Sequence, residues 1–266
     1  MAERAGGDFT GLSKAYQEHR PDYPAEITAA GAAFLTAGGR SCDASLLVVD
    51  VGAGTGISTR AWRRALGDAC RIVGVEPGAD MRREAVAATP SDQRIDYLEG
   101  SAEALPVAAG EADLVTAAQA AHWFDRPRFY AEADRALGPA GVIAIMGNHR
   151  DWAASRFLDA FESVLEAHSP GYRRDYRRTD FAAELARLSW VADSAVHAHR
   201  WARRLPPEAL GGLLLSSSIT QRAIATLGET RFQAALDRMI ADALEPDGRL
   251  EFPYVAEIHL ARKRRT

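Results

Sequence analysis

Lysine and cysteine are scarce in this chain of 266 residues. Lys14 and Lys263 are the two lysines among its 32 basic residues, and the others are arginines. Because alanine is also abundant, we interpret this bias as the coding preference of a GC-rich genome rather than as a binding signature. Cys42 and Cys70 are too few for a disulfide framework, and their spacing does not fit a metal site.

Long hydrophobic runs are also missing. No apolar stretch approaches the roughly 18 residues that a membrane-spanning helix needs, and the polar, charged N-terminus does not resemble a signal peptide. The net charge of −4 gives no global attraction to nucleic acid or to an anionic membrane, and we interpret the basic tail over 262–265 as a solvated terminus. We therefore predict a cytoplasmic protein that binds neither nucleic acid nor membrane.

The remaining composition is that of an ordinary globular protein. Hydrophobic residues make up 47% of the chain and charged residues 26%, which is enough to build a substantial core. The length suits one large α/β domain, or one core with a smaller cap.

Strand-like and helix-like segments alternate through the first half of the chain. Apolar runs that stop at glycine or proline predict strands, and segments with a helical repeat predict helices between them. The predicted strands are 46–52, 71–77, a short one within 95–106, 112–121 and 141–149, and the predicted helices are 58–67, 78–89 and 126–138. This alternation indicates right-handed βαβ crossovers and a parallel sheet.

The second half of the chain has a different pattern. Residues 151–190 and 206–246 are mostly helical, and the first of these stretches is rich in aromatic residues and arginine. Alternating residues over 194–205 predict an outer strand. A final strand is predicted over 249–262, in which Pro253 marks an edge or a bulge. We therefore expect helical insertions that form a cap over the ligand-binding end of the sheet.

The stretch VVDVGAGTG (48–56) is the most informative feature of the sequence. Its apolar run turns through Gly52, Gly54 and Gly56 and then opens a helix. Glycines at a strand end let a ligand lie against bare backbone, and the N–H groups of the next helix favour a nucleotide there. The dinucleotide fingerprint is not met, because Ile57 stands where its third glycine belongs. A purely structural strand–helix turn is the alternative.

Two later strand ends favour the nucleotide interpretation. Glu76 ends the second strand, 20 residues beyond Gly56, where the two acceptor oxygens of a carboxylate can bind both hydroxyls of a ribose. The third strand leads into GSAE (100–103), small residues followed by an acid, which suits the edge of an adenine. The alternative for Glu76 is a solvated acid at the end of a strand.

Together these motifs resemble the class I S-adenosylmethionine-dependent methyltransferases, in particular the small-molecule subgroup described as methyltransferase type 11-like. The resemblance covers residues 9–149 and, loosely, the end of the chain. The matching segments are AYQEHRPDYP (15–24), VVDVGAGTG (48–56), VGVEP (73–77), YLEGSAEALP (97–106), ADLVTAAQAAHWFD (112–125) and ALGPAGVIAI (136–145). The resemblance implies a Rossmann-like, doubly wound α/β fold, with a mainly parallel seven-stranded sheet, an antiparallel last strand and a helical cap.

The resemblance also implies a division of the chain. Residues 1–150 are expected to form the core that binds S-adenosylmethionine (SAM), with an N-terminal lid segment. Residues 151–248 are expected to supply the helical cap and the outer strand on the substrate side. Residues 249–266 are expected to supply the final strand of the core sheet and the basic tail.

A set of cofactor-binding residues follows from the same resemblance. Its members are Tyr16, Arg20, Asp50, Gly52, Ala53, Gly54, Glu76, Pro77, Met81, Ser101, Ala102 and Gln119. Asp50 and the glycines would border the methionine part of SAM, Glu76 would hold the ribose, and Arg20 would pair with the methionine carboxylate. Pro77 and Met81 would pack on the adenine. For Arg20 a surface salt bridge is the alternative.

Methyl transfer from a sulfonium needs little acid–base chemistry. The enzyme contributes mainly by holding nucleophile, methyl and sulfur in line and by excluding water. His122 and Trp123 follow the fourth strand, at the edge that the resemblance places beside the methyl, and we predict that both line the acceptor pocket. We predict His122 as the catalytic residue because an imidazole can orient or deprotonate a hydroxyl or an amine. In the alternative interpretation His122 caps a backbone group.

The predicted function is methyl transfer from SAM to an oxygen, nitrogen or carbon atom of a small-molecule acceptor, with S-adenosylhomocysteine as product. The alternatives are a SAM-assisted cyclisation or rearrangement and a non-catalytic SAM-binding protein. Amino methyltransferases of nucleic acids carry Asn/Asp-Pro-Pro-aromatic where this chain has QAAHWF (119–124). No metal is predicted, because no acidic cluster for Mg²⁺ can be assembled and His197 and His199 lack a third ligand. We expect a monomer or a homodimer.

Overall fold

Alternating strands and helices make up most of the structure, a computed structural model. It describes residues 20–39, 43, 45–89, 94–175, 179–215 and 217–265. The strands are β1 (Leu47–Val51), β2 (Arg71–Val75), β3 (Ile95–Leu98), β4 (Ala112–Ala118), β5 (Leu137–Arg150), β6 (Val191–Leu205) and β7 (Leu250–Lys263). The helices are α1 (Ala25–Ala37), α2 (Ile57–Leu66), α3 (Ala79–Ala88), α4 (Arg126–Ala136), α5 (Arg156–His168), α6 (Phe181–Ala186), α7 (Pro207–Leu215), α8 (Ser218–Leu227) and α9 (Glu229–Ala243).

All seven strands belong to one sheet, in the order β3-β2-β1-β4-β5-β7-β6. Neighbouring strands from β3 to β5 pair in parallel, and β7 enters antiparallel between β5 and β6. The fifth strand begins at Leu137, earlier than predicted, and includes the positive-φ residue Ala140. The predicted doubly wound, mainly parallel sheet with an antiparallel last strand is confirmed.

The central strands are buried on both faces of the sheet. Every residue of β1 and of β4 is buried, as expected for parallel strands that helices cover on either side. On one face Trp62 of α2 is fully buried, and its indole N–H donates to the Thr116 hydroxyl at 3.1 Å. On the other face Phe129 of α4 is equally buried. Because the strands from β3 to β5 are parallel, their carboxyl ends lie at one edge of the sheet.

Helix α1 occupies a segment for which the sequence pattern predicted no element. Its sequence, AEITAAGAAFLTA, is dominated by alanine, and few large apolar side chains mark a buried face. Gly31 explains how it packs, because a Cβ there would be 2.4 Å from a ring carbon of Trp62. The absence of a side chain at Gly31 therefore lets α1 lie close against Trp62 of α2 and Ile258 of β7.

The second half of the chain contributes both a cap and parts of the core. Helices α5, α7, α8 and α9 share a separate apolar cluster with the start of β7, built around Phe157, Leu210, Phe232 and Phe252. Helix α6 instead packs through Leu185 on the apolar layer that contains Phe129, called the main core below. Strand β6 forms the outer edge of the sheet. The predicted unit 151–248 thus divides between two packing environments, and its boundaries stay a prediction. In the described part of the chain, no helix is both long and apolar enough to cross a membrane.

Candidate cofactor cleft and acceptor cavity

The turn after β1 has the backbone conformation that glycine favours. Gly52, Gly54 and Gly56 have φ values of +70°, +56° and +80°. A Cβ on Gly52 would be 2.6 Å from the Cβ of Ala120, so packing against the end of β4 requires glycine there. A Cβ on Gly54 would meet nothing within 4 Å. Gly54 therefore leaves open space above the turn, where a ligand can approach the backbone.

Glu76 joins the end of β2 to this turn. Its carboxylate accepts hydrogen bonds from the backbone N–H of Gly54 at 3.0 Å and of Gly78 at 2.8 Å. The backbone N–H groups of Gly52 and Ala53 donate to the Val75 carbonyl at 2.8 and 3.1 Å. The position of this half-buried carboxylate is therefore fixed by both strand ends.

Asp50 lies beneath the turn as a fully buried acid. One carboxylate oxygen accepts hydrogen bonds from the hydroxyls of Ser58 at 2.7 Å and Thr59 at 2.6 Å. The other oxygen, Oδ1, is buried and has no hydrogen-bond partner among the described residues. Burial raises the pKa of Asp50 to about 6, the two hydroxyls oppose the rise, and the charge of Glu76 adds to it. The turn therefore covers a buried carboxylate oxygen that could still accept a hydrogen bond.

A cleft of about 220 Å³ opens at these strand ends. The residues that line it are Arg20, Pro21, Tyr23, Gly52, Ala53, Gly54, Thr55, Ile57, Ser58, Glu76, Pro77, Met81, Ala118, Gln119, Ala120, Trp123, Phe124 and Asn148. Most of the predicted cofactor residues therefore come together, and Trp123 lies on the same wall. Tyr16 lies outside the described residues.

Four predicted site residues do not line this cleft. Asp50 is buried below it, Ala102 is buried in the main core, and Ser101 is exposed in the loop after β3. His122 lies in the short 3₁₀ turn after β4, with its ring centroid 4.9 Å from that of Trp123. The roles of these residues stay predictions.

Several lining residues were not predicted, and Asn148 is the most informative of them. It lies near the end of β5, at the edge where the carboxyl ends of parallel strands meet, so its place at the end of the predicted fifth strand was the signal that could have found it. The Gln119 side-chain amide donates to the Asn148 carbonyl and thereby ties the end of β4 to β5. Gln119 has φ +53°, a strained conformation of the kind that concentrates at functional sites.

A larger cavity of about 610 Å³ adjoins the cleft. Arg20, Pro21 and Asn148 line both spaces. Further wall residues come from the end of β5, the first ten residues of β7, Arg200 of β6, α5, α6 and other cap helices, and they include His149 and His259. His122 is absent from its lining. Among the described residues, no group of three or more histidine, cysteine, aspartate or glutamate side chains could hold a metal ion.

The residues of the cleft fit an adenosyl cofactor. Gly54 leaves room against the backbone, and Glu76 presents carboxylate oxygens at the end of β2, which can accept from a ribose diol. The N-terminus of α2 at Ile57 is part of the same wall, and Arg20 adds a positive charge. The donor and acceptor set thus matches a ribose beside a charged methionine group.

Comparison with known proteins points to the methyltransferases. Residues 49–145 match the family model described as methyltransferase domain. An uncharacterised methyltransferase of Mycobacterium tuberculosis is 38% identical over 138 residues, which are 52% of this chain and 50% of that protein. A malonyl-[acyl-carrier protein] O-methyltransferase of Pectobacterium atrosepticum is 36% identical over 100 residues, 37% of each chain. The chain spans about half the length or less of the curated relatives it matches.

Solved structures share the fold over nearly the whole chain. A protein described as a type II methyltransferase, from Anaeromyxobacter dehalogenans, has a TM-score of 0.68 at 23% identity and covers 93% of this chain and 99% of its own. Phosphoethanolamine N-methyltransferase 2 of Haemonchus contortus has a TM-score of 0.53 at 17% identity, over 97% of this chain and 58% of its own. At these identities the likeness shows the fold alone.

The strand order and the glycine turn define a class I methyltransferase fold. Residues 49–145 match the methyltransferase domain family, and the predicted resemblance to the class I SAM-dependent methyltransferases is confirmed.

Proposed function

We propose that this protein transfers the methyl group of SAM to an oxygen, nitrogen or carbon atom of a small-molecule acceptor by in-line displacement. The observation that carries the proposal is the shared wall of the two cavities. Arg20, Pro21 and Asn148 line both the cleft and the larger cavity. A methyl donor in one space and a methyl acceptor in the other would meet where the two spaces adjoin at these residues.

The cleft residues divide into groups that would hold different parts of the cofactor. The Glu76 carboxylate would accept from the ribose hydroxyls, while Pro77 and Met81 would pack on the adenine. Arg20 would pair with the methionine carboxylate. A bound sulfonium supplies a methyl group that is already activated toward a nucleophile, with S-adenosylhomocysteine as the product.

The protein's own contribution is orientation and the exclusion of water. Trp123 and Phe124 form an apolar part of the cleft wall next to the strand ends. His122 follows β4. It is proposed to accept a proton where the methyl acceptor is a hydroxyl or a protonated amine. No metal is required by this scheme.

We further propose a cytoplasmic monomer or homodimer that acts on a free small molecule rather than on nucleic acid or a membrane. The net charge of −4 supports this, because neither polyanion is attracted by the chain as a whole.

A metabolite screen tests the proposed function. The full chain is incubated with SAM and fractionated metabolite extracts, and mass spectrometry follows products heavier than their precursors by one methylene. Equal amounts of methylated product and S-adenosylhomocysteine are expected. Consumption of a metabolite without S-adenosylhomocysteine would instead indicate cyclisation or rearrangement, and SAM binding without any turnover would indicate a non-catalytic protein.

A further inference from the structure

The larger cavity has an arginine that is fixed in place before any ligand binds. Arg150, near the end of β5, forms an ion pair of 2.6 Å with Glu162 of α5, whose side chain is almost fully buried. Glu162 also accepts a hydrogen bond of 2.6 Å from the hydroxyl of Tyr172. The Arg150 guanidinium lies 5.5 Å from the ring centre of Phe161. A guanidinium held in this way loses little conformational entropy when it binds a ligand.

Arg150 nevertheless remains open to the cavity. A quarter of its side chain is exposed, against 3% for Glu162. Both residues line the cavity wall. The buried acid therefore positions the guanidinium, while part of the Arg150 side chain stays exposed on the cavity wall.

Other positive charges converge on the same region. Tyr254 of β7 is the register partner of Arg150, is 3% exposed and stacks on Trp201 at 4.9 Å. Burial raises the pKa of Tyr254, and the positive charges of Arg203, Arg150 and Arg20 oppose the rise. Of these arginines, Arg150 and Arg20 line the cavity together with Tyr254. Such a concentration of charge is favourable for an anion.

The acidic side chains on the cavity wall already have partners. The Asp151 carboxylate lies 3.5 Å from Arg200, and Glu162 is paired with Arg150. Asp180 caps α6 by accepting from the backbone N–H of Ala183. Glu257 lies 3.8 Å from Nε2 of His259. Arg174, by contrast, is saturated by Asp159 at 2.5 Å and Glu166 at 2.8 Å, so it is not the ligand-binding arginine.

We propose that the acceptor carries an oxyanion, a carboxylate or phosphate group, that binds to the guanidinium of Arg150 on the wall of the larger cavity. The planar fork of arginine matches two oxygens of either group. Arg20, which lines the same cavity, adds positive potential to this subsite, and Glu162 positions Arg150. The inference rests on the proposed function, because it names the acceptor class of the same site.

Binding of four matched probes tests the inference without requiring turnover. The full chain, saturated with S-adenosylhomocysteine, is titrated calorimetrically with phenylacetate, phenyl phosphate, phenylacetamide and phenethylammonium. At least one of the two anions is expected to bind more tightly than the neutral amide and the cation, and to weaken as salt is raised. Preference for phenylacetate assigns a carboxylate, and preference for phenyl phosphate assigns a phosphate. Binding of the amide or the cation at least as tightly as both anions, or no anion binding, overturns the inference.

Variants locate the subsite. Arg150→Gln is expected to weaken anion binding by at least about tenfold, the loss expected for one charged hydrogen-bond partner. Because this change leaves Glu162 buried without its cation, the double variant Arg150→Gln/Glu162→Gln provides a neutral pair and should show the same loss. Arg200→Gln is the control, since its side chain is 82% exposed on the same wall, and it should change affinity less than threefold. If the two variants that lack Arg150 bind the anion as tightly as the Arg200→Gln control does, the assignment is overturned.

The two proposals can fail separately. If S-adenosylhomocysteine does not bind, the proposed function is wrong, whereas the anion titration can still be performed on the protein alone. If S-adenosylhomocysteine binds and the anions do not, the oxyanion subsite is wrong and methyl transfer to a neutral or cationic acceptor remains.

Discussion

The carboxylate of Glu76 accepts a hydrogen bond of 3.0 Å from the backbone N–H of Gly54. This contact ties the acid that ends β2 to the glycine turn that ends β1. The two features were predicted separately from the sequence, as a ribose ligand and as an open backbone turn. Their direct contact makes them one rigid corner of the cleft.

Replacement of Glu76 should weaken cofactor binding. Glu76→Ala removes the proposed ribose acceptor, so affinity for S-adenosylhomocysteine should fall by roughly 1–3 kcal/mol, measured by calorimetry. Glu99→Ala is the matched control, because Glu99 follows the next strand, is 76% exposed and pairs with Arg82. Unchanged affinity in Glu76→Ala would show that the ribose lies elsewhere.

The two glycines of the turn should respond differently to the same added methyl group. Gly52→Ala should lower the free energy of unfolding by several kcal/mol, because its Cβ would collide with Ala120. Gly54→Ala should cost only about 1–2 kcal/mol, from its positive φ, but should reduce cofactor affinity. Denaturant unfolding and calorimetry separate the two effects. Similar losses of stability in both variants would contradict this geometry.

Stability should depend on pH through Asp50. Its pKa is raised to about 6 in the folded protein from an ordinary 3.8, so between these values the folded state binds more protons than the unfolded chain. The free energy of unfolding should therefore decrease as pH rises through this window, by up to about 3 kcal/mol. Asp50→Asn should flatten the decrease in denaturant titrations, and Asp96→Asn, an exposed acid, should not. An unchanged slope in Asp50→Asn would show that another group titrates.

The catalytic assignment of His122 also has a direct test. If His122 accepts a proton from the acceptor, His122→Asn should lower kcat by roughly 100-fold or more while affinity for S-adenosylhomocysteine stays unchanged. His168→Asn is the control, since His168 ends α5 whereas His122 directly follows β4; neither histidine lines a cavity, so a loss of kcat confined to His122→Asn would support its proposed role. A kcat equal to that of the control would leave His122 with a structural role.

Much of the sheet could be predicted because its central strands are short, fully buried and bounded by glycine or proline. The run LVVDV and the turn after it gave both β1 and the cleft position. Helix α1 escaped prediction because its buried face is made largely of alanine and glycine, whose close contact with Trp62 is invisible in one sequence.

The wall of the larger cavity could not be predicted for a related reason. This wall joins Arg150 and Glu162 to Tyr254, which lies far from both in the chain. Their contact depends on β7 entering between β5 and β6, which places Tyr254 opposite Arg150. A helical pattern predicts that α5 exists, but not which of its acids faces a strand end.

A crystal structure of the full chain with S-adenosylhomocysteine is the most direct measurement of what the cleft binds. We predict the methionine part against the turn at Gly52 and Gly54, and both ribose hydroxyls within hydrogen-bonding distance of the Glu76 carboxylate. A vacant cleft at saturating ligand, or a ribose bound away from Glu76, would contradict the proposed binding site.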